Sequence, residues 1–411
     1  MMSDVIVIGA GPAGLMAAGT AAQNGYSVSL LERNERPARK LMITGKGRCN
    51  ITNNCKDIQS LVNAVPGNGK FLYSAFSSFM PEDTIEFFES RGLKLKTERG
   101  GRVFPESDRA VEVVDSLHSF ALKAGAKIIR ARAREILLES GKLVGVKTED
   151  GEVYPSSNVI VATGGMSYPS TGSSGDGYKL AGDCGHSIVK PEPSLVALVA
   201  HEWFCPRLQG LSLRNVSINV TDTEKKKVIY KDFGEMLFTH YGLSRPIILS
   251  ASAHMRPMKS GKYKISIDLK PALSREQLHA RILRDFESNL NKNFINSLNL
   301  LLPKKLVPVI VKLSGVPMAT KVNSVTKEQR ERLVELLKNL ELTVTGFRPI
   351  DEAIVTAGGI SLDEIDPQTL QSKLVGGLYF AGEVMDLDAY TGGYNLQIAF
   401  STGRLAGRLK T

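Results

Sequence analysis

The stretch DVIVIGAGPAGLMAAGTAA, Asp4–Ala22, decides the fold. Asp4–Ile8 is a short, β-branched apolar run, the pattern of a strand buried on both faces. Gly9-Ala10-Gly11-Pro12-Ala13-Gly14 follows, then a helix-compatible run to about Asn24, with Gly25 as its stop. A second strand, Ser27–Leu31, ends at Glu32. Strand, G-x-G-x-x-G, helix, strand, acid is the order that binds a dinucleotide. Gly9 permits the tight turn, Gly11 lets the backbone approach a pyrophosphate, and Gly14 lets the helix pack close to the strand. The helix opened by Pro12 and Ala13 offers free N–H groups and a positive dipole end to the phosphates. Glu32, 23 positions after Gly9, is spaced to accept hydrogen bonds from the adenosine ribose.

The 411 residues suffice for two or three domains and a large core. Cys49, Cys55, Cys184 and Cys205 are scattered without C-x-x-C, and the six histidines form no H-E-x-x-H. A reduced, cytoplasmic compartment and no metal are the expectation. Asp4 precedes the apolar run and no basic leader does, so a signal peptide is not expected, and the sequons at Asn50, Asn215 and Asn219 carry no meaning. No segment reaches about 18 continuous apolar residues, so no membrane partner is expected. The net charge of +10 permits an anionic partner without showing one. Its one tight cationic run, Lys225–Lys227, reads as a solvated turn, and no nucleic-acid partner is expected.

The far end of the chain chooses between FAD and NAD. Leu378–Ala381 reads as a buried strand running into Gly382-Glu383, and Tyr390-Thr391-Gly392-Gly393-Tyr394-Asn395 leads to a helical pattern, Leu396–Leu409. A helix N-terminus aimed at a ring suits a flavin, whose reduced form carries negative charge. NVIVATGG, Asn158–Gly165, adds a strand followed by Ala162-Thr163-Gly164-Gly165. No second G-x-G-x-x-G follows a strand, and Gly172–Gly177 has the wrong spacing, so a separate NAD(P)H domain is not expected.

The chain resembles the bacterial NAD(P)/FAD-dependent oxidoreductase flavoproteins that include 3-dehydro-bile-acid reductases and aminoacetone oxidases. The motifs that carry the resemblance are GAGPAGLMAA (9–18), RKLMITGKGRCNITN (39–53), GRVFPESDRA (101–110), ATGGMSYPSTGSSGDGY (162–178), GEMLFTHYGLSRP (234–246), VTAGGISLDEI (355–365) and LYFAGEVMDLDAYTGGYNLQIAFSTGRLAG (378–407). The resemblance implies an α/β fold: a Rossmann-like FAD-binding domain of the two-dinucleotide flavoprotein type, 1–192 and 346–411. An insert at 193–345 interrupts it, with antiparallel strands and a helical part at about 271–315, and would cover the flavin. Leu195–Ile267 alternates as strands do, Ser274–Leu302 reads as a helix opened by a Ser274/Gln277 capping box, and a second helix spans about Lys327–Leu340.

Non-covalent FAD is the implied cofactor. The resemblance sets Glu383 on the ribityl chain and Gly45, Gly47, Arg48, Cys49, Asn50 and Thr52 along the pyrophosphate–flavin axis. It adds Arg33, Lys40 and Arg134, and Gly393, Asn395, Leu396 and Gln397 at the last helix. GKGRCNITNN, Gly45–Asn54, is not a P-loop, because Lys46 precedes Gly47 and Arg48. Cys49 lacks a nearby resolving partner, so packing or a passive flavin contact outweighs a redox role. Where the family has Gly-Leu-Ser-Gly-Pro, this chain has Arg245, facing either solvent or the substrate pocket.

The implied chemistry is hydride transfer through flavin N5. Tyr168, His240, Tyr390 and Tyr394 are proton-donor candidates by position alone. Three readings stand: NAD(P)H-driven reduction of a small enone-like acceptor, oxidation of an amine or amino ketone with peroxide release, and modification of tRNA by an RNA-binding flavoprotein. Substrate and oligomeric state are not legible.

Overall fold

The computed structural model describes residues 3–409. The chain forms two compact units, one built from the residues up to Ser194 and from Pro349 onward, the other from Leu195–Arg348.

The first unit is organised by a five-stranded parallel sheet in the order Leu378–Phe380, Val159–Val161, Val5–Ile8, Val28–Glu32, Lys127–Arg130. The first four are fully buried, as parallel strands covered on both faces must be. The helix Pro12–Gln23 carries the chain from the first strand to the second. The chain runs from the first strand to the second and on to Lys127–Arg130 on one side, and later adds Val159–Val161 and Leu378–Phe380 on the other; the order reverses at the first strand, at whose carboxyl end the fingerprint lies.

Three glycines let helices close on this layer. A Cβ on Gly19 would lie 2.2 Å from the Phe120 ring of the helix Ala110–Ala124. The last helix, Tyr394–Ala406, lies against Pro12–Gln23, and Cβ atoms on Gly403 and Gly407 would lie 2.3 Å from Ala13 O and 2.5 Å from Ala17 O. Small residues four apart thus bring the two helices together.

The insert unit contains a closed six-stranded antiparallel barrel built from Leu198–Ala200, Gly242–Ser244, Lys227–Phe238, Ser212–Asp222, Tyr263–Asp268 and Leu340–Phe347. Closure runs through the short strands: only Leu237 and Phe238 of Lys227–Phe238 pair with Gly242–Ser244. Ser274 caps the helix Arg275–Glu287 and Gln277 returns the bond, as the capping box requires. The expected single helix to Leu302 is corrected: it stops at Glu287. Ser288 Oγ donates to Arg284 O (2.7 Å) and Asn289 Nδ2 to Asp285 O (2.6 Å), competing with the main chain for the helix's carbonyls. Short turns at Phe294–Ser297 and Leu298–Leu300 and the helix Val307–Ser314 follow. The helix Lys327–Lys338 ends before Leu340, which opens the last barrel strand.

Candidate active site

A cleft of about 1350 Å³, open to solvent, lies in the first unit at the carboxyl end of the parallel sheet. Gly9, Gly11, Pro12, Ala13, Glu32, Arg33, Lys40, Ala162, Thr163, Gly164, Gly382, Glu383, Asn395 and Leu396 all line it, from six separated stretches of sequence.

At one end, Gly9 sits at φ +97°, a conformation only glycine adopts at low cost, and a Cβ there would lie 2.8 Å from Ala162 O. Gly14 serves packing: its Cβ would lie 1.8 Å from Gly9 O. Glu32 is only 7% exposed. Its Oε2 accepts from Ala10 N–H (2.8 Å) and its Oε1 from Asn34 N–H and Nδ2 (2.7 and 2.8 Å), so the acid braces the glycine loop it follows.

Beside it, Arg33 and Arg132 converge on Asp176 at 3.0 and 2.9 Å, and Ser174 Oγ donates to the same carboxylate (2.9 Å). Burial opposes ionisation of Asp176, but the hydrogen bonds from Arg132 and Ser174 and the two guanidinium charges outweigh it and hold its carboxyl below the usual range. Asp176, Arg132 and Ser173 line the cleft although sequence reasoning passed over them. Asp176 lies in the GSSGDG run that has the wrong spacing for a fingerprint and that here opens the helix Asp176–Asp183.

Farther along, Lys40 Nζ bonds Glu383 Oε2 (2.7 Å), Glu383 Oε1 (2.9 Å) and Ser167 Oγ (2.6 Å), and Glu383 Oε1 accepts Thr356 N–H (2.8 Å). Asn395 Oδ1 accepts from Ala389 N–H and its Nδ2 donates to Ala389 O, fixing the loop before the last helix.

Several residues expected on the cofactor are not among those lining the cleft. Arg48 pairs with Glu98 and Asp108 and covers the Phe104 ring at 4.1 Å, so its charge is used inside the protein. Thr52 and Thr84 hydroxyls both donate to Gln397 Oε1 (2.6 and 2.8 Å), while Gln397 Nε2 donates to Phe79 O (2.9 Å). Gln397 and Thr52 are thereby spent as buried ties. Gly393, at φ +101°, lets the last helix meet Thr52: a Cβ would lie 2.3 Å from the Thr52 carbonyl carbon. A Cβ on Gly165 would meet Thr356 Oγ1, Gly45 and Gly47 hold left-handed turns, and Arg134 is exposed; none of these lines the cleft.

Cys49 is fully buried, and burial pushes its thiol up to about 12. A thiol held protonated near neutral pH speaks against a redox role and is compatible with packing or a passive flavin contact. Asn50 Oδ1 is buried without a partner.

The four proton-donor candidates do not line the cleft. Tyr168 is half-buried at φ +52°, its hydroxyl pushed up by burial and by Glu352, and it follows Ser167 of the lysine network. Tyr390 N–H donates to Ala64 O. Tyr394, pushed up by burial and by Cys55, opens the last helix. His240 belongs to the insert unit, with its ring edge-on to Tyr241 at 4.8 Å.

The cleft fits FAD on structural grounds. Thr163 lines it, and the residue's Oγ1 is buried without a hydrogen-bond partner. Gly11 leaves open space where a Cβ would stand, with its nearest neighbour at 4.0 Å. Two helices, Pro12–Gln23 and Tyr394–Ala406, begin there without a side-chain cap. Residues 3–409 match the family model of the HI0933-like protein Rossmann domain. The chain belongs to this family. It is 33% identical to the 3-dehydro-bile acid delta(4,6)-reductase of Clostridium scindens, over 99% of this chain and 98% of that one. It is 30% identical to the ribosomal RNA dihydrouridine synthase of Escherichia coli, over 97% and 96%, and 31% to that of Haemophilus influenzae, over 97% and 96%. The solved 3-ketosteroid delta1-dehydrogenase of Sterolibacterium denitrificans shares the fold at a TM-score of 0.53 and 13% identity, covering 99% of each chain. The chain is an FAD-dependent oxidoreductase. Among the described residues no helix is long and apolar enough to cross a membrane.

Proposed function

We propose that the protein reduces a carbon–carbon double bond conjugated to a carbonyl, with NAD(P)H as donor. One observation carries this reading. The full-length relatives are named for a 3-dehydro bile acid reduced at its 4,6 double bonds and for the uracil ring of RNA. Both acceptors present C=C beside C=O. Hydride goes to the carbon β to the carbonyl and a proton to the α carbon, so NAD(P)H and H⁺ are consumed and the saturated carbonyl compound is formed.

When bound, FAD supplies the hydride carrier between donor and acceptor. The chain's own residues bind and orient it. The N-terminus of Pro12–Gln23 and the bare Gly11 backbone receive the phosphates, and Glu32, already fixed by Ala10 and Asn34, receives ribose hydroxyls. Lys40 holds Glu383 in one orientation at the cleft wall.

The first reading takes a small organic enone as acceptor, supported by the bile-acid relative over the whole chain. The second takes uracil within RNA, supported by two full-length relatives and by the net charge of +10. Anaerobic addition of NADPH and then NADH to the FAD-bound protein is expected to bleach the visible flavin band with one of them. Reoxidation by a steroid 4-en-3-one supports the first reading, and dihydrouridine appearing in added ribosomal RNA supports the second. No bleaching, with peroxide released from an amine in air, would replace both by an oxidase.

A further inference from the structure

The net charge is not spread over the chain. The insert, Leu195–Arg348, holds 25 Lys and Arg against 13 Asp and Glu, a net of +12, and the other residues hold 27 against 29, a net of −2. Within the insert, residues 288–326 contain Lys292, Lys304, Lys305, Lys312 and Lys321 and no acid at all. All five are exposed, and none is ion-paired among the described residues.

Part of this charge is gathered around one ring. Trp203, the chain's single tryptophan, is 41% exposed. Lys312 Nζ lies 4.1 Å from its centroid and the Arg207 guanidinium 4.9 Å. Lys305 Nζ donates to Gln209 O. The segment from Trp203 to Gln209 and the helix Val307–Ser314 therefore share a face bearing Arg207, Lys305 and Lys312. An aromatic ring fixes a cation without neutralising it, unlike a carboxylate. Glu202, the acid beside Trp203, turns its Oε1 inward to Thr343 N–H (2.8 Å). Of six asparagines in residues 288–326, Asn289 and Asn299 donate to Asp285 O and Asn296 O, and the other four add neutral donors of the kind that meet phosphates and sugars.

We infer that this face of the insert binds the phosphodiester backbone of RNA. The inference rests for its purpose on the second reading above, in which uracil in RNA is the acceptor. Held but unneutralised cations release counterions when they meet phosphates, so affinity must fall with salt.

Trp203 itself reports the test. The full-length, FAD-bound protein is titrated with a single-stranded ribosomal-RNA fragment at several salt concentrations while Trp203 emission is followed. A saturable change is expected. Lys305→Gln with Lys312→Gln should weaken binding about tenfold and make the log–log salt slope shallower by about 1.4. Trp203→Phe keeps the ring and, by filter retention, the affinity, whereas Trp203→Ala weakens it. Unchanged melting of each variant excludes misfolding. If the wild type reduces uracil in this RNA while the lysine variant binds as tightly, the surface is wrong and the second reading stands. If RNA binds through this face and no uracil is reduced, the reading fails and the surface stands. Absence of saturable binding overturns the inference. So does a lysine variant that loses only its binding to phosphatidylserine vesicles, which would assign the face to a membrane.

Discussion

Glu32 does two jobs with one carboxylate: it braces the glycine loop through Ala10 and Asn34, and it faces the cleft. A charged hydrogen bond of this kind contributes about 1.5–3 kcal/mol. Glu32→Ala is expected to weaken FAD binding about ten- to a hundredfold, and undiminished flavin retention on dialysis would refute the assignment. Cys49 illustrates the opposite case. Its thiol, pushed from an ordinary 9.0 to about 12 by burial, stays protonated in the folded protein. Alkylation near pH 8 should leave Cys49 unmodified by mass spectrometry until denaturant is added. The unfolded thiol loses its proton first, so the stability Cys49 contributes is complete below pH 9.0 and declines as pH rises toward about 12. The grouping of the fingerprint glycines and Glu32 was legible because their spacing along the chain sets them together at the end of the sheet. The Lys40–Glu383 pair joins residues 343 positions apart, and the Asp176 cluster draws on three distant segments. No spacing rule reports either. The partners of Arg48 and Gln397 were hidden for the same reason, since they lie far off in sequence.

At the scale of elements, the two helices that open at the cleft are held together by Gly403 and Gly407 against Ala13 and Ala17. A side chain at Gly403 would have to push aside the backbone of the helix Pro12–Gln23. Gly403→Val is expected to destabilise the first unit by about 2–3 kcal/mol and to loosen FAD, visible as a lower melting temperature and faster flavin release. A variant that melts with the wild type would show the close approach to be dispensable. The Ser274 cap is separable from all of this: Ser274→Ala should cost the insert about 1 kcal/mol, read by Trp203 fluorescence on denaturation, with FAD affinity unchanged. Both the capping box and the strand alternation were readable from local chemistry. The end of Arg275–Glu287 was not, because apolar periodicity continues past Glu287 while Ser288 and Asn289 take the backbone's acceptors.

For the whole molecule, the division of charge matters more than its sum. A net of +12 within Leu195–Arg348 makes the insert repel itself, so salt that screens charge should stabilise it. Raising ionic strength tenfold is expected to move the Trp203 unfolding transition upward by a few degrees, about 1 kcal/mol for a unit of this size. A transition that falls or stays would show that the insert's charges are already balanced locally. This asymmetry was present in the sequence but invisible in the total, because a near-neutral domain is interrupted by a basic one. By itself the sequence determined the sheet's first strands, the glycine turn that joins strand to helix, FAD and the family. Each of these is encoded in a contiguous run whose backbone needs particular residues at particular spacings. Only the tertiary structure decided which side chains face the cleft, which are spent as buried ties, and which cations are held by a ring rather than cancelled by an acid. Those depend on distances between residues that the chain itself leaves far apart.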